Sequence, residues 1–239
     1  MRHKPLSEQT ALITGGATGI GRAFAEALLA DGIGHVVIAS RRIAIIETAA
    51  REMNAKFGGD RVSSYGFDIR DRYQTEDLVS ETLAEFASID ILINNSGLAV
   101  AETVLDITDD AWQTVMNTNL RGAMWLTQLI LPRMLEQDFG DIVNVSSQAG
   151  KNGYADVPSY CASKFGLLGF AESVRDDMRK RGANVRVFNF CPGLVDVDSA
   201  GDAMPRSGFI HVRNMARTLV YALSLDRNVN LEDINIYAR

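Results

Sequence analysis

The chain has 239 residues, 46% of them hydrophobic and 23% charged, which excludes the disordered, fibrous and membrane-spanning classes. Its 30 acids against 24 bases leave a net charge of −6, with no long like-charge run. Nucleic acid is therefore not an expected partner, because phosphate backbones demand a basic stripe.

The opening Met1-Arg2-His3-Lys4-Pro5 is basic but has no apolar stretch behind it. No later run approaches the ~20 apolar residues that a membrane span needs. A cytoplasmic protein with no membrane partner is the expectation. Cys161, Cys191 and the three histidines show no paired spacing, so neither a disulfide framework nor a metal site is expected.

The first strand is Leu12-Ile13, and it runs into Thr14-Gly15-Gly16-Ala17-Thr18-Gly19-Ile20-Gly21 and then a helix. Glycines at 15, 19 and 21 allow a tight turn and close approach of a ligand to the backbone. The helix start behind them offers N–H groups and a positive dipole end, where a pyrophosphate would sit. Glycines also serve ordinary turns; the strand–turn–helix context is what turns this one into a dinucleotide site.

The second strand, Val36 to Ile38, continues Ala39-Ser40-Arg41-Arg42. NAD sites usually place an acid here to accept from the ribose 2′-hydroxyl. Serine and two arginines instead suit a 2′-phosphate, through charge-assisted hydrogen bonds. The sequence thus predicts NADP(H) over NAD(H), although arginines also suit a solvated helix start.

Strands three and four are Val62 to Phe67 and Ile89 to Ile93; three more follow at Ile142 to Val145, Val185 to Phe190 and Ile234 to Tyr237. Helical spacing at Ile20, Phe24, Ala27 and Leu28, and at Val79, Leu83 and Phe86, fills the intervals. Continuous apolar strands alternating with helices predict an α/β fold, a parallel sheet covered on both faces. With no linker or repeat, residues 1–239 read as a single domain. A long helix is expected from Asp109, its cap, to Gln137, closing near Gly140, and another from Ser159 to Lys180. The one loop-like segment of any length is Asp196 to Ser207.

Tyr160 and Lys164 lie four apart on the second long helix and so share a face. A positive charge about 4 Å from the phenol, at an effective dielectric of ~20, would lower its pKa by roughly three units. Ser147, at the end of strand five, is placed to hydrogen-bond a substrate oxygen. Asn119 sits inside a helix where an amide gains little, which asks for a second explanation. Asn94-Asn95-Ser96-Gly97 ends strand four at the same sheet edge, where ligands of open α/β folds bind.

On Thr14 to Gly21, Asp68, Asn94 to Gly97, Asn119, Ser147, Tyr160 with Lys164, and Pro192-Gly193, the chain resembles the short-chain dehydrogenases/reductases. The resemblance implies a doubly wound Rossmann-type domain with seven parallel strands in order 3-2-1-4-5-6-7. It implies a homotetramer or homodimer, a small carbonyl or alcohol substrate, and catalysis by Asn119, Ser147, Tyr160 and Lys164. Tyr160 would be the general acid/base, Ser147 the polarising hydroxyl, and Lys164 the group that lowers the phenol pKa and holds the nicotinamide ribose. Asn119 would support a water chain to Lys164. Asp68 and Ile69 would meet adenine, Asn95, Ser96 and Gly97 the adjoining ribose, and Pro192, Gly193 and Val195 the nicotinamide end.

The family usually has a threonine near 197 for the nicotinamide amide; here Val197 stands, with Ser199 or backbone groups as substitutes. Pocket walls are expected from Gln148 to Val157, Leu98 to Glu102, and the 194–211 segment, short for a lid. The leading reading is an NADP-dependent ketone or aldehyde reductase. A 3-oxoacyl reductase served by a basic patch at Arg133, Arg175, Arg179 and Lys180 is the second, and a catalytically silent NADP-binding sensor the third. Apolar residues from Phe165 to Met178 predict association through the two long helices.

Overall fold

A computed structural model describes residues 4–197 and 206–239. Strand β1 (Thr10–Thr14) leads into helix α1 (Gly19–Ala30), and β2 (His35–Ser40) into α2 (Ile43–Phe57). Then come β3 (Val62–Gly66), α3 (Arg72–Phe86) and β4 (Ile91–Asn94). Helices α4 (Asp109–Met116) and α5 (Gly122–Glu136) precede β5 (Gly140–Val145), α6 (Pro158–Arg181) and β6 (Val185–Pro192). The short strands β7 (Val195–Asp196) and β8 (Ile210–His211) pair with each other, and α7 (Val212–Ser224) leads to β9 (Asp233–Ile236).

Seven strands form one sheet in order β3-β2-β1-β4-β5-β6-β9, every neighbouring pair parallel. With helices on both faces, this is the doubly wound Rossmann-type α/β fold. Period-2 alternation explains the continuous apolar strands. On β1, Ala11 and Ile13 join Phe24, Leu28, Phe190 and Leu219 on one face, while Leu12 joins Leu92, Leu126, Ile142 and Val187 on the other. Each such fully buried Leu, Ile, Val or Phe side chain contributes about 1.5–3 kcal/mol of transfer free energy.

The strand order reverses between β1 and β4, so the loops leaving these strands diverge and open a crevice at their carboxyl ends. Thr14 ties the two loops together. Its Oγ1 accepts from the Asn95 and Ser96 N–H groups at 3.0 and 2.9 Å.

Several sequence expectations shift. The expected helix from Asp109 is capped by Thr108, whose Oγ1 accepts from Ala111 N–H at 3.1 Å; Asp109 lies in the first turn, because Thr108 is the last extended residue. Between α4 and α5 the chain widens into a π-helical turn, Asn117–Arg121, so the long helix is not uniform. Strand five ends at Val145, and Ser147 instead caps the 3-10 turn Gln148–Gly150, accepting from Ala149 N–H at 3.1 Å. The loop expected at 196–207 begins as strand β7, and Ser199 lies outside the described residues.

Candidate active site

The turn after β1 is built for close approach. Gly15 has φ +66°, a left-handed conformation that disfavours any side chain. A Cβ on Gly21 would lie 2.5 Å from both Asn95 Nδ2 and Gly15 O, so the helix start can pack there only as glycine. Thr18 is the extended N-cap residue of α1 but makes no side-chain cap. The first N–H groups of the helix are thus left for a ligand or solvent.

Two cavities adjoin here. The smaller, about 260 Å³, is lined by Gly15, Thr18, Ser40, Arg41, Arg42, Ile69, Ser96 and Thr118 among others. It shares Asn95, Gly97 and Leu98 with the larger, of about 650 Å³. That one is walled by Ile20, Ser147, Gln148, Tyr160, Lys164, Pro192, Gly193, Val195 and Val197 with further apolar residues. Gly19 and Gly21 shape the turn rather than line either cavity.

Asp68 departs from expectation. Its carboxylate is taken by the Arg70 guanidinium at 2.6 Å, which holds its pKa below the usual carboxylate range, and it faces an outer depression instead of the small cavity. Arg70, two residues on, is the competing partner, and Ile69 alone of the pair lines the cavity.

On the catalytic wall, α6 starts with Pro158 at its first position, where a missing N–H costs nothing. This sets Ser159, Tyr160 and Lys164 in its first two turns. Burial holds the Tyr160 phenol above the usual tyrosine range, and a hydrogen bond with Ser147 offsets part of that rise. The expected lowering by Lys164 is not found. The ammonium donates to Val145 O at 2.7 Å and lies 5.6 Å from the Tyr160 ring centre, so desolvation outweighs it. Burial instead pushes Lys164 itself down to about 8.

Asn119 falls in the π turn, a feature that recurs at functional sites. Its Oδ1 accepts from Leu98 N–H at 2.9 Å, and its Nδ2 donates to Leu98 O at 2.8 Å and Ser163 Oγ at 3.0 Å. Asn119 Oδ1 and Lys164 Nζ both flank Gly97, each 3.4 Å from where a Cβ would stand. The amide therefore lies behind the cavity wall, with its polar atoms beside the lysine.

Val197 presents its side chain to Gly19, 3.4 Å from a would-be Cβ, at the start of α1. Sequence reasoning missed Thr118 and Phe67 as lining residues; it placed Gln148 on a pocket wall, where it lies, but not the partners that fix it. Gln148 Nε2 donates to Cys191 O at 2.6 Å, and Tyr237, near the end of the chain, donates to its Oε1. No local pattern announces a bond spanning 89 positions. Among the described residues no helix is long and apolar enough to cross a membrane.

The family model for short chain dehydrogenase matches residues 9–207. A ketoacyl reductase of a Nostoc species is 34% identical over 224 residues, covering 91% of this chain and 76% of that protein. An NADP-dependent 3-hydroxy acid dehydrogenase of Schizosaccharomyces pombe is 29% identical, covering 97% and 93%. Among solved structures, a metagenomic short-chain oxidoreductase in complex with NADP superposes with a TM-score of 0.84 at 26% identity, covering 98% and 99%.

Proposed function

The chain belongs to the short-chain dehydrogenase family, and on that footing we propose that it is an NADP-dependent oxidoreductase. It moves a hydride between NADPH and a ketone or aldehyde, and runs reversibly as an alcohol dehydrogenase. The observation that carries this reading is the convergence of Ser147, Tyr160 and Lys164 on one cavity that adjoins a second lined by Ser40, Arg41 and Arg42.

The residues fit a dinucleotide. The uncapped start of α1 and the Gly15–Gly21 turn suit a pyrophosphate, and the turn keeps its shape because a Cβ at Gly21 would clash with Asn95 Nδ2 and Gly15 O. Ser40, Arg41 and Arg42 would hold a 2′-phosphate. Ile69 and Ser96 would flank the adenosine, while Tyr160, Lys164, Pro192, Gly193 and Val195 would hold the nicotinamide ribose and ring. When bound, the cofactor supplies the hydride to the carbonyl carbon.

The side chains supply the proton. Ser147 Oγ accepts from Ala149 N–H and hydrogen-bonds the Tyr160 phenol, so the two hydroxyls converge where a substrate oxygen would be polarised. Tyr160 donates its phenolic proton to that oxygen as negative charge develops on it, and takes it back in the oxidative direction. Lys164 replenishes the phenol, and Asn119, beside it at Gly97, is positioned to lead the proton onward through water. Replacing Tyr160 with Phe keeps the ring but removes the donor. We expect kcat to fall at least ~100-fold with NADPH affinity nearly unchanged. Wild-type turnover in Tyr160→Phe would overturn the mechanism; NADPH binding without turnover of any carbonyl by either protein would leave a cofactor sensor.

A carrier-borne substrate is less well served. Arg175 and Arg179 pair with Glu232, Lys180 with Asp176 and Arg133 with Glu136, so the basic patch is neutralised within the protomer. Residues 175–180 also occupy the end of α6 opposite Tyr160. This favours a free small molecule.

The same reading takes residues 1–239 as one domain and the protein as cytoplasmic, in keeping with two buried free thiols. It also includes a homodimer or homotetramer built on α4–α5 and α6. Leu167 and Met178 are absorbed by the protomer core, but Phe165 stays 47% exposed. Light scattering that returned only 26.1 kDa monomer at micromolar concentration would remove the oligomer.

A further inference from the structure

The larger cavity has an unusual charge character for a site that could take hydroxy acids. Leu98, Ala99, Ala149, Tyr154, Val157 and Leu194 make up the wall facing Tyr160 and Ser147. Among the described residues that line it, Lys164 is the only charged one, and its ammonium is turned to Val145 O. Of the two amides on the wall, Gln148 is tied at both ends, to Cys191 O and the Tyr237 hydroxyl, and Asn95 donates its Nδ2 to Thr14 O at 2.9 Å and Gly15 O at 3.3 Å. The rim is apolar too: Leu194 is 65% exposed and Tyr154 50%.

Two cations in adjoining described segments are committed elsewhere. Lys151, beyond the Gln148 turn, pairs with Asp233 at 2.9 Å. Arg206 donates to Asp196 at 3.2 Å and lies over the Phe209 ring. An anionic substrate in this cavity meets a largely apolar wall. Its own charge would be desolvated without a partner.

We propose that the substrate is an uncharged ketone, or the matching secondary alcohol, carrying an apolar substituent, and that the site discriminates against free carboxylates. This rests on the carbonyl-reductase reading and narrows it. It also separates the chain in substrate range from the 3-hydroxy acid dehydrogenase it resembles over 97% of its length. Specificity comes from leaving the wrong substrate's charge unpaired, an energetic asymmetry larger than the gain from any one apolar contact.

The test is a matched pair: a 3-oxo acid and its ethyl ester, each followed by NADPH consumption, and each also titrated as a ligand of the enzyme–NADPH complex by cofactor fluorescence. We expect kcat/KM for the ester to exceed that for the acid by about 100-fold or more, and the ester alone to perturb the fluorescence at low millimolar concentration. Leu194→Arg, which sets a cation at the rim, should narrow the ester-to-acid ratio at least about tenfold. Parity between the two, or preference for the acid, in either turnover or binding overturns the proposal. If neither is turned over, the binding arm still decides: selective binding of the ester upholds the neutral pocket while the reductase reading fails, and equal or tighter binding of the acid ends both.

Discussion

Lys164 donates its ammonium to the Val145 carbonyl at 2.7 Å, leaving the Tyr160 ring centre 5.6 Å away. The lysine is 4% exposed and its pKa falls to about 8, from an ordinary 10.5. A buried ammonium with one carbonyl partner is a destabilised group.

The first prediction follows from that burial. Below pH about 8 both native and unfolded chains carry the charge, and the native state bears the full desolvation penalty; between about 8 and 10.5 the native lysine is neutral while the unfolded one is not, so its contribution to stability improves as pH rises. Lys164→Met should therefore raise stability at pH 7, by roughly 1–3 kcal/mol after the lost hydrogen bond is counted, while abolishing turnover. The gain should shrink between pH 8 and 10.5. Chemical denaturation at pH 7 and pH 10 measures it, and a variant less stable than wild type at pH 7 contradicts the argument.

The same group sets the second expectation. With the phenol held above its usual range, the ionisation nearest working pH belongs to Lys164. Alcohol oxidation needs an acceptor for the proton that Tyr160 collects, so its rate should rise through pH about 8 and level off above it. Reduction should show the mirror-image decline. Lys164→Arg, whose guanidinium stays charged, should remove the limb at pH 8 from both profiles. Profiles of the arginine variant that still break near pH 8 would assign the ionisation to another group.

Much of this site is legible in the sequence because its parts are local. Gly15 to Gly21 lie within one turn, Tyr160 and Lys164 within one helical repeat, and Asn119 betrays itself as an amide where a helix former belongs. Partnerships across the fold are not legible. Arg70 removes Asp68 from the cofactor cavity, and Val145 draws Lys164 away from the phenol. Arg186, the second residue of β6, reads as an interruption of an apolar strand, yet it and Arg227 converge on Asp141 at 2.8 Å each. In each case the deciding partner depends on where the backbone places it, which composition and period do not carry.

Cofactor preference is the third prediction. Ser40, Arg41 and Arg42 all line the smaller cavity, with both arginines exposed to it and to solvent. A charge-assisted hydrogen bond contributes about 1.5–3 kcal/mol, so loss of one arginine–phosphate contact should weaken NADPH binding roughly 10- to 100-fold. Ser40→Asp with Arg41→Ala should invert the preference, the new carboxylate repelling a 2′-phosphate and accepting from a 2′-hydroxyl. Equal or better kcat/KM of the wild type with NADH removes the claim.

The last prediction concerns Glu102, expected from the sequence at the end of a pocket wall and joined here to the start of α6. Its buried carboxylate accepts the hydroxyl of fully buried Ser159, the residue before Tyr160. Its backbone N–H donates to Asp156 O at 2.9 Å, and Asp156 has φ +62°, a strained left-handed residue held by the loop. Together these bonds fasten the segment after β4 to the start of α6. Glu102→Ala leaves the Ser159 hydroxyl buried without an acceptor, a loss of about 1–3 kcal/mol, or several degrees of Tm for a chain of this size. Because Tyr160 follows directly, kcat should fall more than NADPH affinity, whose proposed contacts lie at Gly15, Ser40 and Arg41. Glu102→Gln keeps an acceptor oxygen and should restore most of both. Calorimetry and steady-state kinetics on the two variants separate the outcomes: a Tm loss with unchanged kcat makes the contact purely structural, and a glutamine variant as impaired as the alanine one shows that the hydrogen bond is not what matters.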